Sequence, residues 1–273
     1  MDGKGIGEDG KMMMLMAIGL VMLVLYERGE RGHARERVRF APWGAEDVLF
    51  GVAAFFLGLF LCRLILAAFP SGSVQPWAAS TLVSLCLAGT CLAVFLNLYV
   101  RYGLWPTDMG LQTDRWKHDL LLAWGMVVFL FGLQAPMSEL VQYVYERTGE
   151  PLERQYVIQQ MLDVKSRWGL LVMMAAAVTV APVCEEIAFR GFVQPWLRRY
   201  VGGGWSVTLT AVLFSLMHDP RSKFLAVPFM VFPLAIALGY CRERTQRLTA
   251  PILLHALHNL VGVVAVLAAR GGP

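Results

Sequence analysis

The stretch A-P-V-C-E-E-I-A-F-R, residues 181–190, decides how the rest of the chain is read. It closes an apolar run that begins at Trp168. Two adjacent carboxylates, Glu185 and Glu186, and the guanidinium of Arg190 therefore stand where a membrane helix carries apolar residues. Each charge at mid-membrane depth costs about 2.5–3.5 kcal/mol on insertion scales. Charges kept at that cost mark a functional site before they mark anything structural.

The bulk composition supports the membrane premise. Hydrophobic residues make up 57% of the 273 positions and charged residues only 16%. Mean hydropathy is +0.54. Soluble domains sit nearer 45–50% apolar and 25% charged. The net charge of +4 reads as loop arginine facing the cytoplasm, and no basic run with interleaved aromatics suggests a nucleic-acid partner. The five cysteines, Cys62, Cys86, Cys91, Cys184 and Cys241, lie in or beside apolar runs without a CxxC. They read as small buried residues, neither a disulfide framework nor a zinc site. There is no P-loop, no GxGxxG and no HExxH.

Working outward, eight apolar segments appear, at residues 12–26, 48–69, 77–100, 120–140, 168–190, 205–218, 224–241 and 248–268. The first is short and reads as an uncleaved helix, since no small-residue cleavage pattern follows it. Arg63 interrupts the second and either snorkels to the surface or faces the bundle. Residues 27–47 read as an arginine-rich loop and residues 141–167 as an amphipathic or interfacial connector, either the lining of a substrate path or a plain solvated linker. Pro182 permits a kink one turn before the carboxylates. Gly202, Gly203 and Gly204 break the fifth segment from the sixth, which ends at Asp219-Pro220. The expectation is an all-α, polytopic transmembrane helical bundle of about eight spans, one membrane domain over residues 1–273 without internal repeat. Residues 1–167 supply spans and connector, and residues 168–268 supply the helices that carry chemistry. The loops after odd-numbered spans hold 13 Lys and Arg against 9 on the other side. The positive-inside rule then turns both termini outward.

Polar groups within the apolar runs are few, and they crowd into the last four. They are Glu185, Glu186, Arg190, His218, His255, His258 and Asn259, which include three of the five histidines. Glu186 and Arg190 are four apart and pair on one helix face, which lowers the cost of burying both. Glu185 is rotated by about 100° and is free for another partner. His255 and Asn259 share a face in the same way, and His258 sits one position off that pair and reads as structural. Each residue has a plainer reading: a structural ion pair for Glu186 and Arg190, a helix-end histidine for His218, interhelical glue for Asn259. Cys184 beside Glu185 could be a nucleophile paired with a histidine, but a packed thiol is the simpler account.

Three segments together carry a resemblance. E-E-I-A-F-R at 185–190, F-S-L-M-H at 214–218 and H-A-L-H-N at 255–259 resemble, in order, the EExxxR, FxxxH and HxxxN motifs of the CAAX protease and bacteriocin-processing family, which includes the type II CAAX prenyl endopeptidases. The resemblance covers residues 168–268, with no departure at a motif position. It implies an integral, multi-pass membrane enzyme (in the cell membrane, for a bacterial chain) that cleaves a membrane-associated or lipid-anchored protein. It implies that Glu185 is the general base with His218 as its partner. His255 and Asn259 would stabilise the oxyanion, with Glu186 and Arg190 behind them or orienting the substrate. The implied partners are membrane lipids and an anchored protein or peptide substrate. No cofactor is required in that reading. A competing one uses Glu185, His218 and His255 as zinc ligands. A third, of another class, is a non-proteolytic immunity or scaffold protein. A transporter would show repeat symmetry between its halves, and the polar residues show none.

Overall fold

The computed structural model describes residues 8–30, 41–70, 73–149, 155–218 and 223–271. Residues 31–40 of the expected arginine-rich loop, and the Asp219-Pro220 stop, lie outside the described residues, while residues 27–30 and 45–47 of that loop fall on helices. The elements are α1 Glu8–Glu30, α2 Ala45–Ala67, α3 Pro76–Tyr102, α4 Trp116–Thr148, α5 Tyr156–Asp163, α6 Arg167–Ala175, α7 Ala181–Glu186, α8 Gln194–Met217, α9 Ala226–Thr245 and α10 Thr249–Gly271. Two π-helical segments, Ala176–Val180 and Ile187–Val193, join α6 to α7 and α7 to α8.

All eight expected segments fall on helices, and the protein is an integral, multi-pass membrane protein. Six helical stretches are long and apolar enough to cross a bilayer. One of them, Arg167–Met217, is 51 residues long. At 1.5 Å per residue it would reach about 76 Å, more than twice the hydrocarbon core, so it has to break. It breaks at Gly202, whose φ of 78° and ψ of 176° only glycine tolerates. The expected fifth and sixth spans are the two arms of this stretch. The shorter apolar run of α1 completes the eight.

Helix ends follow local chemistry. Pro76 opens α3, where its missing N–H costs nothing, and Gly103 closes it with φ 67°. α4 runs two turns past the expected end at Leu140 because Glu, Gln and Arg sustain a helix without an apolar face. It stops at Gly149, φ 69°.

Alternating directions sort the ends onto two faces. Asp119 at the start of α4 binds Arg247 between α9 and α10 at 2.5 Å, which marks one face. Tyr145 near the end of α4 donates to the Lys223 carbonyl before α9 at 2.9 Å, which marks the other. α5, the start of α6, the start of α3 and the end of α10 belong with Tyr145.

The main core gathers α4, α8, α9 and α10 around Leu122, Phe214, Leu238 and Leu254, and Tyr26 of α1 joins it. α1 lies close on α4, because a Cβ at Gly19 would come within 2.7 Å of the Phe129 backbone nitrogen. Outward faces are apolar: Phe56 and Phe60 of α2 are well exposed, as lipid contact requires. Arg63 is exposed as well and points away from the bundle. Cys62 and Cys86 are joined as a disulfide between α2 and α3. That corrects the expectation of unpaired thiols, since the facing sides of two adjacent helices are not visible in a spacing pattern.

Candidate active site

The two candidate carboxylates, Glu185 and Glu186, sit on α7, a helix of six residues held between the two π-helical segments. Each segment runs into a proline. In the first, Ala181 N–H bonds the Ala176 carbonyl, five residues back. The next donor in that register is Pro182, which has no N–H, so the Ala177 carbonyl lacks its backbone partner. In the second, Gln194 N–H bonds the Phe189 carbonyl, and Pro195 leaves the Arg190 carbonyl in the same position. Side chains from other helices fill both. Asn259 Nδ2 of α10 donates to the Ala177 carbonyl at 2.8 Å, and Arg242 Nε of α9 donates to the Arg190 carbonyl at 3.0 Å. π-helical turns recur at functional sites because they re-aim side chains within a continuous helix.

Glu186 and Arg190 form the expected pair, and both are fully buried. Arg190 Nη1 lies 3.2 Å from Glu186 Oε1, and its Nη2 donates to the Ala235 carbonyl at 2.9 Å. The guanidinium lies 4.3 Å from the centre of the Phe214 ring. Glu186 also takes His255, whose Nδ1 is 2.9 Å from the same Oε1. A carboxylate is an acceptor, so Nδ1 carries the proton and donates it there. His255 therefore turns its Nε2 outward, to 4.0 Å from Glu185 Oε2.

His218 is held in the same sense by different means. It leaves α8 in extended conformation, and its Nδ1 donates to the Phe214 carbonyl at 2.8 Å. Its Nε2 then faces Glu185 Oε2 at 3.6 Å. That oxygen is buried and has no hydrogen-bond partner. Two anchored imidazoles thus aim their Nε2 atoms at one carboxylate oxygen with an unmet demand.

Glu185, His218, His255 and Asn259 line one cavity of about 530 Å³. Its walls also carry apolar side chains, among them Val83 and Leu87 of α3, Met161 of α5 and Val266 of α10. No lysine or arginine lines it among the described residues. The wall residues of α3 and α9 lie in the halves of those helices nearest α5, and those of α10 run from His255 to Val266, so the cavity extends from mid-helix toward the membrane face that carries α5.

The structure thus brings all six expected residues together, four on the cavity and two behind it. Two features escaped sequence reasoning. His258 lines the cavity instead of serving only the packing. Its ring stacks on Phe131 at 5.3 Å, and its Nε2 lies 2.9 Å from Gln134 Nε2, which donates to it. The i,i+3 spacing from His255 was the available signal. Ser80 and Ser84 of α3 also reach the cavity, which nothing in their local pattern announces, and Gln155 and Gln160 of the connector join them, in line with the lining alternative for that stretch. Cys184 is buried, does not line the cavity, and its carbonyl accepts from Cys91 Sγ at 3.2 Å.

The donor types of Glu185, His218 and His255 suit zinc, because a carboxylate-backed Nδ1–H is a common outer partner of a metal-bound imidazole. Among the described residues, however, no group of three or more His, Cys, Asp or Glu is arranged to hold a metal ion.

Comparison with known proteins locates the same region. Residues 167–261 match the family described as Type II CAAX prenyl endopeptidase Rce1-like. The match holds all three motifs. The chain is also 27% identical over 144 residues to the UPF0177 protein YaiF of Lactococcus lactis subsp. lactis (strain IL1403). That similarity covers 53% of this chain and spans 62% of the relative's length. No solved structure matches.

Proposed function

With residues 167–261 carrying an Rce1-like domain, of a CAAX protease family, we propose that the chain is an intramembrane endopeptidase. It hydrolyses a peptide bond in a membrane-associated or lipid-anchored protein, with a prenylated CAAX segment as the first substrate class to test. One observation carries the reading: the buried Glu185 Oε2 has no hydrogen-bond partner and stands 3.6 Å from His218 Nε2 in the cavity wall. A water bound there would meet an acceptor that removes its proton and an imidazole that orients it.

In this mechanism Glu185 takes a proton from the water as its oxygen attacks the scissile carbonyl. The new C–O bond leaves a negative charge on the carbonyl oxygen. Asn259 has a second amide N–H beyond the one given to Ala177, and His255 offers an Nε2–H when it carries both protons. Glu186 is placed to balance that imidazolium. Donors fixed in a water-poor site favour the oxyanion more than water would. The C–N bond then breaks, and the proton held by Glu185 passes to the leaving amine. No covalent intermediate forms, and Arg190 keeps Glu186 in place without meeting the substrate.

Zinc held by Glu185, His218 and His255 is the competing reading, favoured by the two outward Nε2 atoms. The metal would supply Lewis acidity at the same carbonyl.

The test is cleavage of a farnesylated CAAX peptide by detergent-purified protein, with and without a metal chelator, beside Glu185→Ala. Cleavage by the wild type alone and indifferent to chelator is expected. Chelator-sensitive cleavage moves the assignment to zinc. Equal cleavage by the Glu185→Ala protein overturns both.

A further inference from the structure

α5 is eight residues long, well short of the length at which a helix holds itself in water. Its position is set by what ties it down, and the ties come from both sides of the cavity. On one side Ser80 Oγ of α3 donates to Gln160 Oε1 at 2.7 Å. On the other, Arg270 at the end of α10 spans the carboxyl end of α5. Its Nη1 donates to the carbonyls of Met161 at 2.5 Å and Leu162 at 2.9 Å, and its Nη2 to that of Val164 at 2.8 Å. Terminal carbonyls of a helix have no partner within it, and a cation at that end also meets the negative pole of the helix dipole. One guanidinium thus caps α5 from another helix.

What these ties hold in place is a wall of the cavity. Gln155, Ile158 and Met161 line it together with Glu185, His218 and His255. Met161 is only 3% exposed and packs with Met173, Val263 and Val266 in a cluster of its own. All four of these residues line the same cavity as Glu185, His218 and His255 and give it an apolar wall.

We propose that α5 is the specificity element of the site. Met161 and Ile158 set the size of the bulky apolar group that a substrate places beside its scissile bond, and Arg270 is the positioning residue that keeps α5 at the required distance. This rests on the endopeptidase reading for what is cleaved, but not for what is bound. The apolar group is an amino-acid side chain or a lipid attached to the peptide, since both offer the same surface to a methionine wall.

The experiment therefore measures binding first. Two sets of fluorescent peptides are titrated against Glu185→Gln protein in detergent. One set varies the lipid, geranyl against geranylgeranyl, and the other varies a single side chain, alanine against phenylalanine. In that background Met161→Ala is expected to shift the Kd ratio of one set by about 10-fold toward the larger group, the scale of a methylene or two in an apolar pocket. Met161→Trp is expected to shift it the opposite way, and Ile158→Ala serves if a Met161 variant does not fold. The set that responds identifies the group. Unchanged ratios in both sets, from folded variants, overturn the proposal. Shifted ratios with no cleavage by the wild type would overturn the protease reading and leave this one standing. In the cleaving enzyme, Arg270→Gln is expected to raise KM about 10-fold at unchanged kcat, with Arg270→Lys restoring part of it. A fall in kcat and in melting temperature at unchanged KM would show Arg270 to be merely structural and overturn its positioning role.

Discussion

Asn259 supplies a hydrogen bond that Pro182 cannot. Its amide donates at 2.8 Å to the Ala177 carbonyl, which the π-helical register would otherwise pair with the absent N–H of residue 182. The same residue lines the cavity, so in the proposed mechanism fold and chemistry share one side chain.

That sharing can be separated. Asn259→Ala is expected to cost about 1–2 kcal/mol of stability through the stranded carbonyl. It is also expected to lower kcat by about 10²-fold or more through the lost oxyanion donor. Adding Pro182→Ala provides an N–H for Ala177 and should recover the stability alone. Thermal melting and cleavage kinetics on the single and double variants check both halves; recovery of kcat in the double variant would remove Asn259 from the chemistry.

The two carboxylates should behave differently although they are neighbours. Glu185→Gln is expected to lower kcat by 10²–10⁴-fold, roughly the reach of general-base catalysis, with little change in melting. Glu186→Gln loses the charge that anchors His255 and Arg190, so it should lower both kcat and stability. Steady-state kinetics beside a melting curve tell them apart.

Arg190→Met strands the Glu186 carboxylate in a fully buried site. Breaking one side of such a pair typically costs about 3–5 kcal/mol, whereas replacing both partners costs far less. The double variant Glu186→Gln/Arg190→Met is therefore expected to be more stable than Arg190→Met. Denaturation in mild detergent measures the coupling, and additive losses would contradict it.

Asp119 and Arg247 form a second buried pair, away from the cavity. Asp119→Asn is expected to destabilise on the same scale, about 3–5 kcal/mol, and to leave kcat per folded molecule unchanged. Active-site titration normalises the rate; a changed kcat would show that this pair reaches the site.

Much of the site was legible before the fold. Glu185, Glu186, Arg190, His218, His255 and Asn259 stand out because ionisable and amide groups are rare in apolar runs, and helical spacing pairs Glu186 with Arg190 without further information. The contact between His255 and Glu186 was not legible, since it joins α10 to α7 and depends on the rotation of both. Neither was the π register, although Pro182 and Pro195 marked where it ends. A proline signals a missing donor, but only the register says which carbonyl loses its partner. α5 was read as an amphipathic connector, and eight residues of pattern cannot say that Met161 faces a cavity. His258 was read as structural because its neighbours at Phe131 and Gln134 come from a distant helix.

The two π-helical segments give this site a sensitivity to chain length that substitution experiments do not probe. Each holds one residue more per turn than an α-helix needs, as a single inserted residue would produce. Loss of one residue within Ala176–Val180 can be absorbed, because the segment closes as ordinary α-helix and both flanks keep their facing. Loss of one within Ala181–Glu186 has no such slack. It would swing everything on one side of the gap by about 100° and part Glu186 from His255. Single-residue deletions in this protein are therefore sorted by address: absorbed in the turns that carry a spare residue, and ruinous in the six-residue helix between them.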